Sequence, residues 1–372
     1  MIGAGGQNMG FFKRYKEKID EFKKAKAMLI NYENNAEVTP GFKMITLDRP
    51  VWHYGLLSPD WLLPERIRST KVGIISYVDI SLANINNPII QLEDEVGRLT
   101  QSIPLMLLET LLYFSDHEPF VVIPVAAGMG PIVSNKEVDD NYLKEVAAKH
   151  NLDYVITGSI LLNGTEYSIS NRIYSSAEQT VSVVKTDTSG AKFGQSCIEM
   201  ISDIHAKLGC PIPSEIEQNK MIYKIPKPAQ FSEYLSALGQ LLMQSLITKG
   251  VASIEGLKGE RDMLNCYLGL ALADPENQIF RVMLVSGMEK SKSCNSKVYK
   301  EFKQQAISLL SEKNESNYSR RLLPFVYNMF GMKNESIKQK NLLLSTIQDE
   351  TYCRWLEQIS TDNLTSAASL QE

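Results

Sequence analysis

The 372-residue chain is 44% hydrophobic and 22% charged, with a formal net charge of −4, the make-up of an ordinary globular protein with material for real cores. That balance excludes nucleic acid as the default partner, and no apolar run approaches the ~20 residues a membrane span needs. Five scattered cysteines without a CxxC pair exclude a disulfide frame or zinc site and predict reduced, buried thiols, and the length predicts two or three domains.

Residues 1–38 are expected to hold a basic amphipathic helix. Phe12, Tyr15, Ile19 and Phe22 recur at helical spacing, interleaved with Lys13, Arg14, Lys23, Lys24 and Lys26. Such a helix lies on an anionic membrane surface, docks on an acidic partner, or packs its aromatic stripe on the next domain. No signal-peptide apolar stretch is visible. As written, the sequence predicts a cytoplasmic protein or one at the cytoplasmic face of the membrane, and an envelope protein if a leader is missing.

Residues 39–70 form a Pro- and aromatic-rich arm. Pro40, Pro50, Pro59 and Pro64 preclude a long helix, and Trp52, Tyr54, Trp61 and Leu62 are large apolar side chains with no regular element to hold them. The arm either wraps the following domain or offers aromatic anchors to another protein, with Trp355 a further anchor near the C-terminus.

Residues 71–210 read as an α/β domain in the order β-α-β-α-β-β-β-α. Lys71–Leu82 and Phe120–Val125 are strands. Between them lies a long helix with a stripe of Val96, Leu99, Ile103, Leu107, Leu111 and Phe114, which Pro104 should kink or split. A short helix over 141–150 ends near Asn151. A three-strand antiparallel meander follows from Asp153 to Thr188, with Asn163-Gly164 as the first turn, because both turn positions want positive φ. An amphipathic helix over 193–208 completes the domain. Helices between the early strands imply parallel crossovers, so the sheet should be mixed.

Residues 211–228 are Pro-rich and read as a linker. Residues 229–360 carry almost no strand signal and predict an all-α, repeat-like domain of paired helices about fifteen residues long. In it, Asp274-Pro275 should cap and open a new helix. Residues 361–372 form a polar tail.

Residues 71–208 resemble the amino-terminal domain of TolB and its relatives among FlgO- and CsgG-type envelope proteins and TolB-like regulators. The likeness rests on VGIISYVDIS, the long helix, and LKEVAAKHNLDYVITGSILLNG, in which Asn151 and Leu152 stand where the family's GADYVLxGS strand has Gly and Ala or Val. Relatives often continue into tetratricopeptide-like helices, and Ala273–Asn277 (ADPEN) is similar to a junction between such repeats. The resemblance implies protein contact and assembly in a bacterial secretion or envelope complex, and it brings no catalytic residues.

The residues themselves support no chemistry. Gly128 and Gly130 follow a strand as a phosphate-binding turn would, but the third glycine and the Lys-Ser/Thr pair of nucleotide motifs are missing. His53, His117, His150 and His205 are scattered, and no hydrolase or zinc motif occurs. Arg172, among strand residues, suits a buried ion pair or a partner contact. The reading is a non-enzymatic assembly subunit without cofactor or metal, whose partners are other protein subunits. The alternatives are a small-molecule or nucleotide sensor and a peripheral membrane protein.

Overall fold

The structure is a computed structural model that describes residues 42–65, 67–82, 89–90, 95–254, 259–312 and 318–360. A mixed sheet forms the body. Its strands are β1 (Phe42–Leu47), β2 (Thr70–Ile75), β3 (Val78–Asp79), β4 (Ile89–Ile90), β5 (His117–Ala126), β6 (Gly130–Pro131), β7 (Val133–Ser134), β8 (Tyr154–Asn163), β9 (Glu166–Ser175) and β10 (Thr180–Ser189). The principal order is β1-β5-β2-β8-β9-β10, with β3, β7 and β4 extending it beyond the end of β2. β2 is parallel to β5 and β8, whereas β1, β9 and β10 add antiparallel pairs. Three helices belong to this part: α1 (Glu95–Phe114), α2 (Asp140–His150) and α3 (Phe193–Lys207).

The sheet is mixed as expected and the long elements over residues 71–208 follow the expected order, but the strand expected over Lys71–Leu82 breaks into β2 and β3, and the short strands β4, β6 and β7 were not expected. Three further differences are local. The arm is not devoid of regular structure: β1 lies in it and pairs antiparallel with β5 along its whole length. The meander turn sits one residue later than Asn163-Gly164, because Asn163 pairs with Glu166; of the two turn residues only Gly164 has positive φ. Pro104 does not split the long helix. Every residue from Leu99 to Ser115 is buried, so α1 is enclosed on all sides instead of presenting one stripe.

The reason α1 tolerates proline is a contact from another segment. Pro104 has no N–H to donate to the carbonyl of Thr100. That carbonyl instead accepts the backbone N–H of Tyr77 at 2.8 Å. Tyr77 sits in the break between β2 and β3, so the gap in the helix is filled by a gap in the sheet. The Tyr77 hydroxyl hydrogen-bonds Asn171 on β9, and its ring lies over Gly158 on β8. A Cβ at Gly158 would come within 2.6 Å of both that ring and the Ser170 carbonyl oxygen. Gly158→Ala is therefore expected to lower stability by about 1–3 kcal/mol, read as a lower urea midpoint at unchanged slope.

The C-terminal helices are α4 (Glu215–Gln218), α5 (Phe231–Thr248), α6 (Glu260–Ala273), α7 (Gln278–Ser293), α8 (Lys303–Ser311), α9 (Leu323–Met329), α10 (Lys333–Leu344) and α11 (Glu350–Ser360). Helix α5 packs on α1 from the side opposite the sheet, so α1 is the middle of a layered stack. Tyr223, from the segment between α4 and α5, stacks on Tyr113 of α1 at 4.9 Å. Paired helices of about fifteen residues do not persist through the region: α8 has nine residues and α9 seven. Asp274-Pro275 forms a turn ahead of α7, which starts at Gln278 with Asn277 as its N-cap. Asp274 is buried and pairs with Lys227 at 3.3 Å.

Candidate functional site

Alternation along the strands divides the sheet into two faces. Val121, Ile123, Val72, Ile74 and Ile156 point to the α1 side and are buried. Phe120, Val122, Ile75, Met44 and Thr46 point the other way. On that second face α2 covers β8 and part of β2, where Leu143 and Ala147 meet Leu152, Val155 and Tyr174. Helix α2 is well anchored: Asp139 caps it by accepting the Tyr142 N–H at 2.8 Å, and Asn151 ends it at φ 52°. Arg172 reaches across to the Val138 carbonyl and to Asp140 at its N-terminus, a contact within the chain.

Beside α2 the face is open. A groove of about 1020 Å³ runs over β1, β5 and β2 between α2 and the loop at residues 48–60. Its floor is apolar, with Met44 half exposed at 51%. Its rim is charged: Asp48, Arg49 and Asp60 on the loop side, Glu145 and Lys149 on α2, Lys71 and Glu118 at strand starts. His53 Nε2 meets Asp60 Oδ1 at 2.9 Å. Burial pushes His53 below its usual pKa, and the imidazole beside Asp60 holds that carboxyl below the usual range. A neutral His53 then donates from Nε2, which leaves Nδ1 as a buried acceptor with no partner.

The loop bounding the groove has little regular structure, so its carbonyls are met by side chains from the body. Lys290 Nζ donates to the carbonyls of Val51 at 3.3 Å and Tyr54 at 2.6 Å, and it also contacts Ser286. Trp355 Nε1 donates to Leu56 at 2.7 Å, and the Tyr113 hydroxyl to Leu62 at 2.7 Å. Gly55 adopts φ 95° above Lys290, a conformation that suits glycine. Burial pushes the Lys290 ammonium down to about 7 and its neighbour Glu289 up to about 7.

The residues expected to be docking anchors are inside the chain. Trp52, Tyr54, Trp61, Leu62 and Trp355 are all buried. Trp61 lies 5.0 Å from Tyr352 and 5.4 Å from Trp355, with the Arg321 guanidinium over its ring at 5.5 Å. Trp61 joins the arm to α11, and taking four large apolar side chains of the arm out of water favours their burial within the chain over display to a partner. Gly128 and Gly130 are also used internally. The Gly128 N–H donates to the Val251 carbonyl at 2.7 Å, and Gly130 lies against Met243. That amide is not free for a phosphate. Lys13, Arg14, Lys23, Lys24 and Lys26 lie outside the described residues.

One group that sequence reasoning passed over is Glu109, fully buried on α1. The Tyr234 hydroxyl donates to it at 2.5 Å. Burial pushes its carboxyl up to about 8, although Tyr234 and, more weakly, the Trp52 indole favour the charged form. Trp52 Nε1 makes no full hydrogen bond. The signal was present: Glu109 is the lone charge between Arg98 and Asp116. Lys290, within an ordinary Lys/Ser run, gave none.

Among the described residues, no group of three or more His, Cys, Asp or Glu is placed to hold a metal, and no helix is long and apolar enough to cross a membrane. No family model matches the chain, and no curated protein matches it.

Proposed function

We propose that the protein is a non-enzymatic assembly subunit that takes an amphipathic helix of another protein into the groove on its half-covered sheet face. The groove itself carries this reading. Apolar side chains on a sheet face gain from being covered, and on the groove side the α2 cluster covers Phe120 only in part and leaves Met44 half exposed. Helix α2 covers the adjoining strip of the same face, so a second helix beside it is the natural complement. An apolar floor inside a charged rim suits an apolar stripe flanked by polar residues. The likeness to TolB-type domains, whose relatives assemble, points the same way and suggests a bacterial secretion or envelope complex as the setting. The α6–α7 hairpin favours a tetratricopeptide-like reading of the helical region, since Gly287 lets α7 close on Tyr267, where a Cβ would stand 2.4 Å from the ring.

Met44→Glu tests the reading, because the side chain is half exposed and its loss leaves the core intact. A stoichiometric partner that co-purifies with the wild-type chain from its native cells is expected to be lost with Met44→Glu. Retention of the same partner would move the interface off the groove. A second reading, a small-molecule sensor, is favoured by the unpartnered His53 Nδ1 at the groove wall. It predicts a raised Tm with a bound metabolite, abolished by His53→Phe.

A further inference from the structure

We propose that two copies of this chain pair edge to edge through β10, antiparallel about Thr186, into one continuous sheet. The proposal concerns the opposite end of the principal sheet order from the groove, and it stands whether or not a helix binds there.

The backbone of β10 comes first. Its ten residues pair with β9 in an unbroken register. Just past the end of β9, the Ser176 N–H donates to the Asp153 carbonyl at 2.9 Å. Even-numbered residues of β9 therefore bond to β8, and odd-numbered ones bond to β10. Ser175 stands opposite Thr180, so the even-numbered residues of β10 bond back to β9. The N–H and C=O groups of Val181, Val183, Lys185 and Asp187 then face away from the sheet. Among the described residues, no backbone group pairs with them. Such a row is a template for another strand. The usual protections are weak here: β10 is long, holds no proline and has no bulge, and its one lysine, Lys185, lies 3.7 Å from Asp187. Val183 on the same row is 56% exposed.

The charges choose the occupant and the register. Lys185 and Asp187 are the only charged residues of β10, and both belong to the outward row. When a strand pairs with its own copy, outward residues meet outward residues, so the two-fold axis falls on a residue of the strand. An axis at Lys185 or Asp187 sets like charges against each other. An axis at Val184 sets Lys185 against Val183 and Asp187 against Val181. An axis at Thr186 sets each Lys185 against Asp187 of the second copy, with Val183 opposite Ser189. That register makes two ion pairs, and opposite charges directly across a ladder favour it. The charges nearby are balanced. Glu166, beside Ser189, falls in the same row as Arg172 of the second copy, which is beside Val183. On the other face, exposed Lys192 and Lys207 accompany exposed Glu199 and Asp203. Gly190, next to the paired stretch, has open space where a Cβ would stand.

The test is sedimentation of the full chain and of two full-length variants, Lys185→Glu and Asp187→Lys. Both changes fall on exposed side chains, and circular dichroism checks that each variant is folded. The wild type is expected to dimerise. Each variant alone should self-associate about tenfold or more weakly, because like charges replace both ion pairs. An equimolar mixture of the two should dimerise again, because the two substituted positions then face each other with opposite charge, as do the unaltered Asp187 and Lys185. Thr186→Cys should form a disulfide-linked dimer under mild oxidation, since the residue on the axis meets its own copy with Cα atoms ~4.5 Å apart. Ser182→Cys should not, because its two copies lie roughly 26 Å apart. A wild type that stays monomeric, together with a mixture that does not associate, overturns the proposal. So does a dimer whose strength neither charge reversal changes, which would place the interface elsewhere.

Discussion

Trp355→Ala is expected to destabilise the protein by about 3–5 kcal/mol in urea unfolding, the range for truncating a large buried aromatic side chain. The indole is 2% exposed, packs against Trp61 and Tyr352, and donates to the Leu56 carbonyl at 2.7 Å. Trp355→Phe keeps most of the ring and removes the donor. It should cost less, about 1–3 kcal/mol, because the carbonyl of Leu56 is left buried without its partner. A surface anchor for another protein would behave differently, shifting stability by within about 0.5 kcal/mol. A small effect of Trp355→Ala would therefore contradict the burial of this cluster.

The second large effect is a pH dependence. In the fold, burial pushes the Glu109 carboxyl from 4.5 up to about 8. The native state then holds a proton that the unfolded chain releases near 4.5. Stability contributed by this group is complete below that value and is lost as pH climbs toward 8, by up to about 1.4 kcal/mol per pH unit. Glu109→Gln retains the shape and an acceptor for Tyr234 but has no proton to lose. The variant should match the wild type near pH 5 and exceed its stability at pH 8. Lys290, Glu289 and the buried histidines contribute to both curves and cancel in the difference. Parallel curves from pH 5 to 8 would show that Glu109 is not held protonated.

Much of the architecture was legible because it rests on local signals. The strands at Ile74, Val121 and Ile156 stand out as short runs rich in apolar and β-branched residues, and Asn151 ends a helix in the left-handed conformation for which its residue type is suited. What failed depended on contacts between distant segments. The Pro-rich arm looked unsupported because its support comes from Lys290, Trp355 and Tyr113, as many as 299 residues away. Pro104 looked like a break because nothing in its neighbourhood announces Tyr77. The groove was invisible for a further reason: Met44, Thr46 and Val122 alternate with core residues in the ordinary way, and only the position of α2, which packs on Phe120, reveals how far the cover extends.

The hydrogen bond from Tyr77 to the Thr100 carbonyl has a consequence for how the chain reaches this state. Helix α1 carries a hole in its own ladder, so as an isolated stretch it is a poor nucleus despite its apolar content. Completing it requires the peptide group of Tyr77, which lies before the helix in sequence and is in place only once the chain breaks between its two pairings with β8, at β2 and at β3. Helix and sheet are thus expected to consolidate in one step. Because α5 rests on α1, the helical region has no finished surface to pack on until that step is over.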